Sequence, residues 1–288
     1  VCGADISGNI PTKKFLDNFI ILPNSQDEKE FIDSLISAII SERIDIYIPI
    51  HSKETYVVAK HEKYLVDNIG VKFVISPFDT YKELDNKLYA YKKLKEFGLD
   101  TPRVYNSVDE IDQFPVFTKP TVGSGSNTSF KVTGLDQART ICEAYPGNFF
   151  MEYLSGKEYT IDCIFDTSGN LISFNQRTRE KMLGGAAVIT KNDFSIDFER
   201  EITDITRAYK IKGPCNFQFF FDGNRKILTD INLRFASGGL PLTVESGVNV
   251  LEIIVKMLLG IPIDKQKYVS DRKSRTMYRY FEEYFEVG

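Results

Sequence analysis

Asn216-Phe217-Gln218-Phe219-Phe220 and Thr229-Asp230-Ile231-Asn232-Leu233-Arg234, joined through Asp222-Gly223-Asn224, form the stretch whose reading decides the fold. Its aromatic and β-branched residues read as two strands, and the Asp-Gly-Asn tip as the turn of a hairpin. Side chains alternate with period two along a strand, so Asp230, Asn232 and Arg234 share one face. Gln218, on the partner strand, can sit beside them. Ile227, Ile231 and Leu233 fall on the opposite face and read as core. Leu228 shares the polar face, which argues that this face is partly enclosed. An acid, two amides and an arginine in an enclosed place are costly unless paired. Hard oxygen donors of this kind suit Mg²⁺, which takes few protein carboxylates and keeps substrate phosphates. An arginine beside them suits a phosphoryl group. The alternative is a solvated strand face.

Outward from the hairpin, the second half reads as an antiparallel α+β body. Strands are expected at 149–154, 158–166, 171–177, 213–221 and 226–232, with helices at 196–209 and 248–259. A strand at 276–280 closes the sheet. Upstream, a helix at 82–97 ends at Gly98. A strand at 114–120, a Gly/Ser run at 121–129, a strand at 130–133 and a helix at 135–145 follow. The first third alternates an apolar run at 19–22, a helix at 28–42, a strand at 44–50, a helix at 52–68 and a strand at 71–76. That alternation predicts a parallel sheet with right-handed crossovers. Ser76-Pro77-Phe78-Asp79 breaks it, which sets a domain boundary near Tyr81.

Other residues carry chemistry. Lys119 ends an apolar strand and faces Gly123-Ser124-Gly125-Ser126-Asn127-Thr128-Ser129, which returns into a strand and not into a helix. Such a hairpin can lie over phosphates as a flap; alone it is equally a surface hairpin with one lysine. Met151-Glu152-Tyr153-Leu154-Ser155-Gly156-Lys157-Glu158 reads as strand, turn and strand. Its backbone could meet an adenine edge and Glu158 the ribose hydroxyls, or it is a plain hairpin. Arg177 and Arg179 follow a strand at period two, which by itself reads as an exposed strand end, and Ser237-Gly238-Gly239 follows Arg234. His51 stands at the carboxyl end of a strand, where α/β sheets place ligands, although a surface role is the expectation for it.

Composition narrows the function classes. Lys plus Arg is 36 against 40 Asp plus Glu, a formal charge of −4, which lacks the basic footprint of a nucleic-acid or anionic-membrane binder. There are two histidines, which argues against histidine zinc sites. The four cysteines, Cys2, Cys142, Cys163 and Cys215, show no CxxC spacing and read as reduced thiols, so a cytoplasmic location is expected. No apolar run reaches the ~18 residues of a membrane span. The chain starts at Val1 on what looks like a strand end, so its first strand is expected to be missing.

Taken in order, these motifs resemble the ATP-grasp superfamily, in the branch of the carbamoyl-phosphate synthase large subunit and carboxylate–amine ligases. Asp85-Asn86-Lys87 with Gly98-Leu99-Asp100-Thr101-Pro102 looks like the opening signature. Phe117-Thr118-Lys119-Pro120 with the Gly/Ser run looks like the phosphate loop. Glu152-Tyr153-Leu154 with Gly156-Lys157-Glu158-Tyr159 looks like the hinge, and the opening hairpin like the metal segment. The pattern departs at Asp230, where the family has glutamate, and at Leu233, where it has proline.

The resemblance implies an α/β plus α+β chain: a Rossmann-like (pre-ATP-grasp) parallel-sheet domain at 1–81, an ATP-grasp small lobe at 82–148 and a large lobe at 149–288. It implies an ATP- and Mg²⁺-dependent ligase (Mn²⁺ as the alternative ion) that activates a carboxylate as an acyl phosphate and joins it to an amine. Lys87, Lys119, Gly123, Ser124, Gly125 and Ser126 would contact the phosphates. Glu152, Tyr153 and Leu154 would line the adenine, and Glu158 would hold the ribose. Gln218, Asp230 and Asn232 would place the metal. Arg234 would steady the γ-phosphate, with Arg177 and Arg179 at the acceptor. Partners would be small carboxylates and amines, with a homodimer allowed and neither nucleic acid nor membrane expected. The rival readings are a non-catalytic nucleotide-binding protein and one half of a split carbamoyl-phosphate synthase.

Overall fold

The computed structural model describes residues 1–123, 128–184 and 186–285. The chain begins with strands β1 (Cys2–Asp5) and β2 (Asn18–Ile21), which pair in parallel. Helix α1 (Glu28–Ser41) follows, burying Phe31, Ile32, Leu35, Ala38 and Ile39 along one stripe. Helix α2 (Ser52–Lys60) and the short α3 (Glu62–Tyr64) continue the region. The strands expected at 44–50 and 71–76 are reduced to a single parallel bridge, Ile46 to Lys72. Pro49 has no N–H to give to a ladder, and Pro77 closes the second segment, so neither extends. The parallel sense is as expected, but the sheet is a two-stranded pair and a separate bridge.

The helix expected over 82–97 is two helices, α4 (Phe78–Asp85) and α5 (Lys87–Glu96). Asn86 breaks the run: its backbone is extended and its side chain accepts the N–H of Tyr89, an N-cap inside what reads as one helix. Asn86 also bridges to Val122, and the Lys87 N–H donates to the Thr121 carbonyl. The break therefore docks the start of α5 against residues 121–122.

A four-stranded antiparallel sheet comes next, built from β3 (Val104–Tyr105), β4 (Val116–Pro120), β5 (Phe130–Val132) and β6 (Asn148–Glu152) in the order β3-β6-β4-β5. Helix α6 (Leu135–Ala144) packs on it through Ala138 and Ile141, beside Tyr105, Val116, Val132 and Phe150.

The second half contains β7 (Lys157–Phe165), β8 (Leu171–Leu183), β9 (Ala186–Asn192), α7 (Glu199–Ala208), β10 (Gly213–Phe221), β11 (Lys226–Asn232), α8 (Leu240–Glu245), α9 (Val250–Leu258) and β12 (Thr276–Tyr278). Its six strands are antiparallel, in the order β11-β10-β7-β8-β9-β12. Strand β8 runs six residues past the end expected at Arg177, and β9 and α8 were not foreseen. One face of this sheet, with Tyr159, Ile161, Cys163, Phe217 and Phe219, packs on Ile202 and Ile205 of α7 and joins the core that α1 and α2 enter. The other face is polar along most of its length, and it positions the site.

Candidate active site between the two sheets

A one-residue irregularity shapes the site. The pairing of β10 with β11 shifts between Gln218 and Phe219: Gln218 faces Asp230, whereas Phe219 faces Leu228. Thr229 is thus a bulge, which flips the alternation of side chains on either side of it. Leu228 does not share the face of Asp230, contrary to the sequence reading; it packs with Phe217 and Phe219 in the main core. Ile227, expected opposite, lies instead on the side of Tyr91, Phe149, Met151 and Leu154, between the sheets. The bulge is what lets an apolar start and a polar end of β11 serve the right neighbours.

A cavity of about 980 Å³ lies between the four-stranded and six-stranded sheets. Phe117, Met151, Tyr153, Leu154 and Phe220 give it an apolar end. Lys87 and Lys119 enter from one side, and Gln218, Asp230, Asn232 and Arg234 from the other. Glu158 and Gly123 also reach it. These expected residues, 147 positions apart at the extremes (Lys87 to Arg234), converge on one space. Gln26, His51, Ser52 and Lys53 line its far end, so His51 faces the cavity and not only the surface.

The polar residues are held in a defined network. Lys119 Nζ and the Tyr91 hydroxyl both donate to the carbonyl of the bulged Thr229, at 3.0 and 2.8 Å. Burial lowers the Lys119 ammonium from its ordinary value to about 8, with Asp230 pulling the other way. Burial also lowers the Arg234 guanidinium, against the attraction of Asp230. Lys87 Nζ donates to the Gly123 carbonyl.

Asn216, fully enclosed, sorts the metal side. Its amide N–H donates to the Arg234 carbonyl at 3.1 Å, and its oxygen accepts from Asn232 Nδ2 at 3.2 Å. With its nitrogen engaged, Asn232 offers its amide oxygen. Together with the Asp230 carboxylate and the Gln218 amide, this is a set of hard oxygen donors around one acid, which fits a magnesium ion that keeps phosphate oxygens.

Three expected roles sit elsewhere. Arg177 does not line the cavity. It is buried in a two-bonded ion pair with Asp162, at 2.8 and 3.2 Å, and its Nη1 donates to Thr190 Oγ1. Gly239 covers it: a Cβ there would lie 2.0 Å from Arg177 Cζ. Arg179 is mid-strand and pairs with Glu158, so the ribose candidate already has a cationic partner. The Glu152 carboxylate turns away from the cavity, accepting the Arg103 N–H and pairing with Arg225; Met151 takes the lining position. Ser124, Gly125 and Ser126 lie outside the described residues.

Asn216, Ser52 and the Thr229 bulge were missed. Asn216 stood in the quoted stretch, and a polar residue in an aromatic strand was the available signal. No local pattern marks Ser52.

The family described as "ATP-grasp in the biosynthetic pathway with Ter operon" matches residues 145–283. A carbamoyl phosphate synthase large chain of Thermoanaerobacter sp. is 26% identical over 241 residues, 74% of this chain and 22% of the relative. The chain thus spans less than a quarter of that relative's length. Among solved structures, a biotin carboxylase–βγ-ATP complex from Campylobacter jejuni superposes with a TM-score of 0.73 at 15% identity, over 93% of this chain and 67% of that one. An N5-carboxyaminoimidazole synthetase from Staphylococcus aureus, complexed with ADP, gives 0.72 at 16% identity, over 96% and 74%. With its two sheets closing on a cavity of lysines and oxygen donors, the chain matches an ATP-grasp family over residues 145–283 and is similar to the carbamoyl phosphate synthase large chains.

Proposed function

We propose that this chain is an ATP- and Mg²⁺-dependent ligase that activates a carboxylate as an acyl phosphate and joins it to an amine. The observation that carries the reading is the convergence of Lys87 and Lys119 with Gln218, Asp230, Asn232 and Arg234 on one cavity. The solved structures of similar fold, in complex with βγ-ATP and with ADP, support placing the nucleotide there. In this reading 1–81, 82–148 and 149–288 are three functional blocks, the nucleotide lying between the second and third.

The adenine lies at the apolar end, near Met151, Tyr153 and Leu154. Glu158, braced by Arg179, accepts from the ribose hydroxyls. Lys87 and Lys119 hold the phosphates, and Gln218, Asp230 and Asn232 hold Mg²⁺, which neutralises phosphate charge when bound. Arg234 faces the γ-phosphoryl group. A carboxylate oxygen of the acid attacks the γ-phosphorus as the bond to ADP breaks. The amine then attacks the acyl carbon, and inorganic phosphate leaves. Positioning and charge neutralisation supply the rate, with little need for side-chain proton transfer. His51, Lys53 and Gln26 border the end left for the acid.

The test is release of ADP and phosphate by the purified chain with mixtures of small acids and amino acids. Turnover that needs one acid and one amine supports the reading. Tight MgATP binding with no turnover under any mixture overturns it in favour of nucleotide binding alone. One observation favours that second reading: among the described residues, no three His, Cys, Asp or Glu groups come together as a metal cluster, and Asp230 is the sole carboxylate among the three proposed donors.

A further inference from the structure

Arg234 is gripped from the N-terminal region. Its Nε donates to Ser52 Oγ at 2.6 Å, a contact spanning 182 positions in sequence. Its Nη1 donates to the Phe235 carbonyl at 2.7 Å. Nη2 has no hydrogen-bond partner among the described residues, and the side chain lines the cavity. One residue earlier, the Leu233 carbonyl accepts the hydroxyl of Tyr81 at 3.1 Å. Two hydrogen bonds from the first 81 residues therefore fix the segment that leaves β11. A guanidinium is a planar fork, so fixing two of its nitrogens fixes the direction of the third.

From this geometry we propose that Ser52 is a positioning residue for phosphoryl transfer: its hydroxyl sets the Arg234 guanidinium so that Nη2 points at the γ-phosphoryl group. The inference rests on the nucleotide reading above and adds a residue from outside the two ATP-grasp lobes. Ser52 opens α2 next to His51 and Lys53, at the end of the cavity left for the acid. The residue that aims the arginine is thus a neighbour of the acid to be phosphorylated.

The cap of α2 does not depend on the Ser52 hydroxyl, since Glu54 Oε2 accepts the N–H groups of Ile50 and His51 at 3.0 and 2.9 Å. Ser52→Ala is therefore expected to fold, and MgADP affinity reports on that directly. The experiment titrates the full chain with MgADP, then with MgADP plus fluoroaluminate as the γ-phosphoryl mimic. Wild type should bind the second more tightly. Ser52→Ala should keep its MgADP affinity and lose about tenfold for the fluoroaluminate complex, the scale of one hydrogen bond to a charged group. Ser52→Thr, which keeps the hydroxyl, should restore it. Ser52→Ala in an Arg234→Ala background should cost nothing further. Full fluoroaluminate affinity in Ser52→Ala, no rescue by Ser52→Thr, or an additive double variant overturns the inference. So does a wild type that binds MgADP and gains nothing from fluoroaluminate. A wild type that does not bind MgADP overturns the nucleotide reading itself, which is a separate result.

Discussion

Lys119 Nζ donates to the carbonyl oxygen of Thr229 at 3.0 Å, across the gap between the four-stranded and six-stranded sheets. A bulge withdraws that carbonyl from the regular ladder, and the lysine and Tyr91 take it up. The lysine is thereby held over the cavity in a buried place that weakens its hold on a proton. Lys119→Ala should weaken MgATP binding by about tenfold or more, the loss of a charge-assisted contact to phosphate. Calorimetric titration checks it, and an unaltered affinity removes Lys119 from the phosphate site.

The depressed Lys119 value also sets a pH dependence. In the proposed reading the protonated form is the one that binds phosphate, and in the free protein it is lost as pH rises through about 8. MgATP affinity should be flat below that value and fall above it, by at most about tenfold per pH unit for one proton. Lys119→Arg should flatten the profile, because its guanidinium stays charged. A wild-type profile that is level to pH 9.5 refutes the link.

Asp230→Asn keeps shape and removes the carboxylate. Nucleotide affinity should lose its dependence on Mg²⁺ while the thermal transition moves little. Magnesium dependence that survives the substitution sinks the metal assignment.

The Arg177–Asp162 pair is a structural element. Both side chains are enclosed, and Thr243 Oγ1 adds a bond to Asp162 Oδ2 at 2.5 Å. Arg177→Met leaves a buried carboxylate without its cation and should cost about 3–5 kcal/mol in denaturant unfolding. Gly239→Ala should destabilise as well, since its methyl group meets the guanidinium. If Arg177→Met loses turnover at unchanged stability, the acceptor role expected from the sequence is restored.

Period-two alternation made Asp230, Asn232 and Arg234 legible, because it is a property of the chain alone. The bulge was not, since Leu228 is apolar and suits either face until Phe219 is placed opposite it. Asn86 was legible in principle: an asparagine before Lys87 is a good N-cap, but the apolar spacing around it read as one helix. The resemblance assigns Arg177 to an acceptor site; its ion-pair partner lies on another strand, and the pairing of Arg177 with Thr160 in register is needed to see Asp162 beside it. Ser52 is invisible to any local reading, as its meaning comes from a residue 182 positions away.

Thr229 is the extra residue of β11, with Leu228 opposite Phe219 and Asp230 opposite Gln218 on either side of it. Its deletion would restore an even ladder and leave each flanking side chain on the face it already occupies. What would go is the carbonyl that Lys119 and Tyr91 share. The bulge therefore serves as an anchor that reaches across the gap between the sheets, and losing that one residue would loosen the lysine while floor and core stay in place.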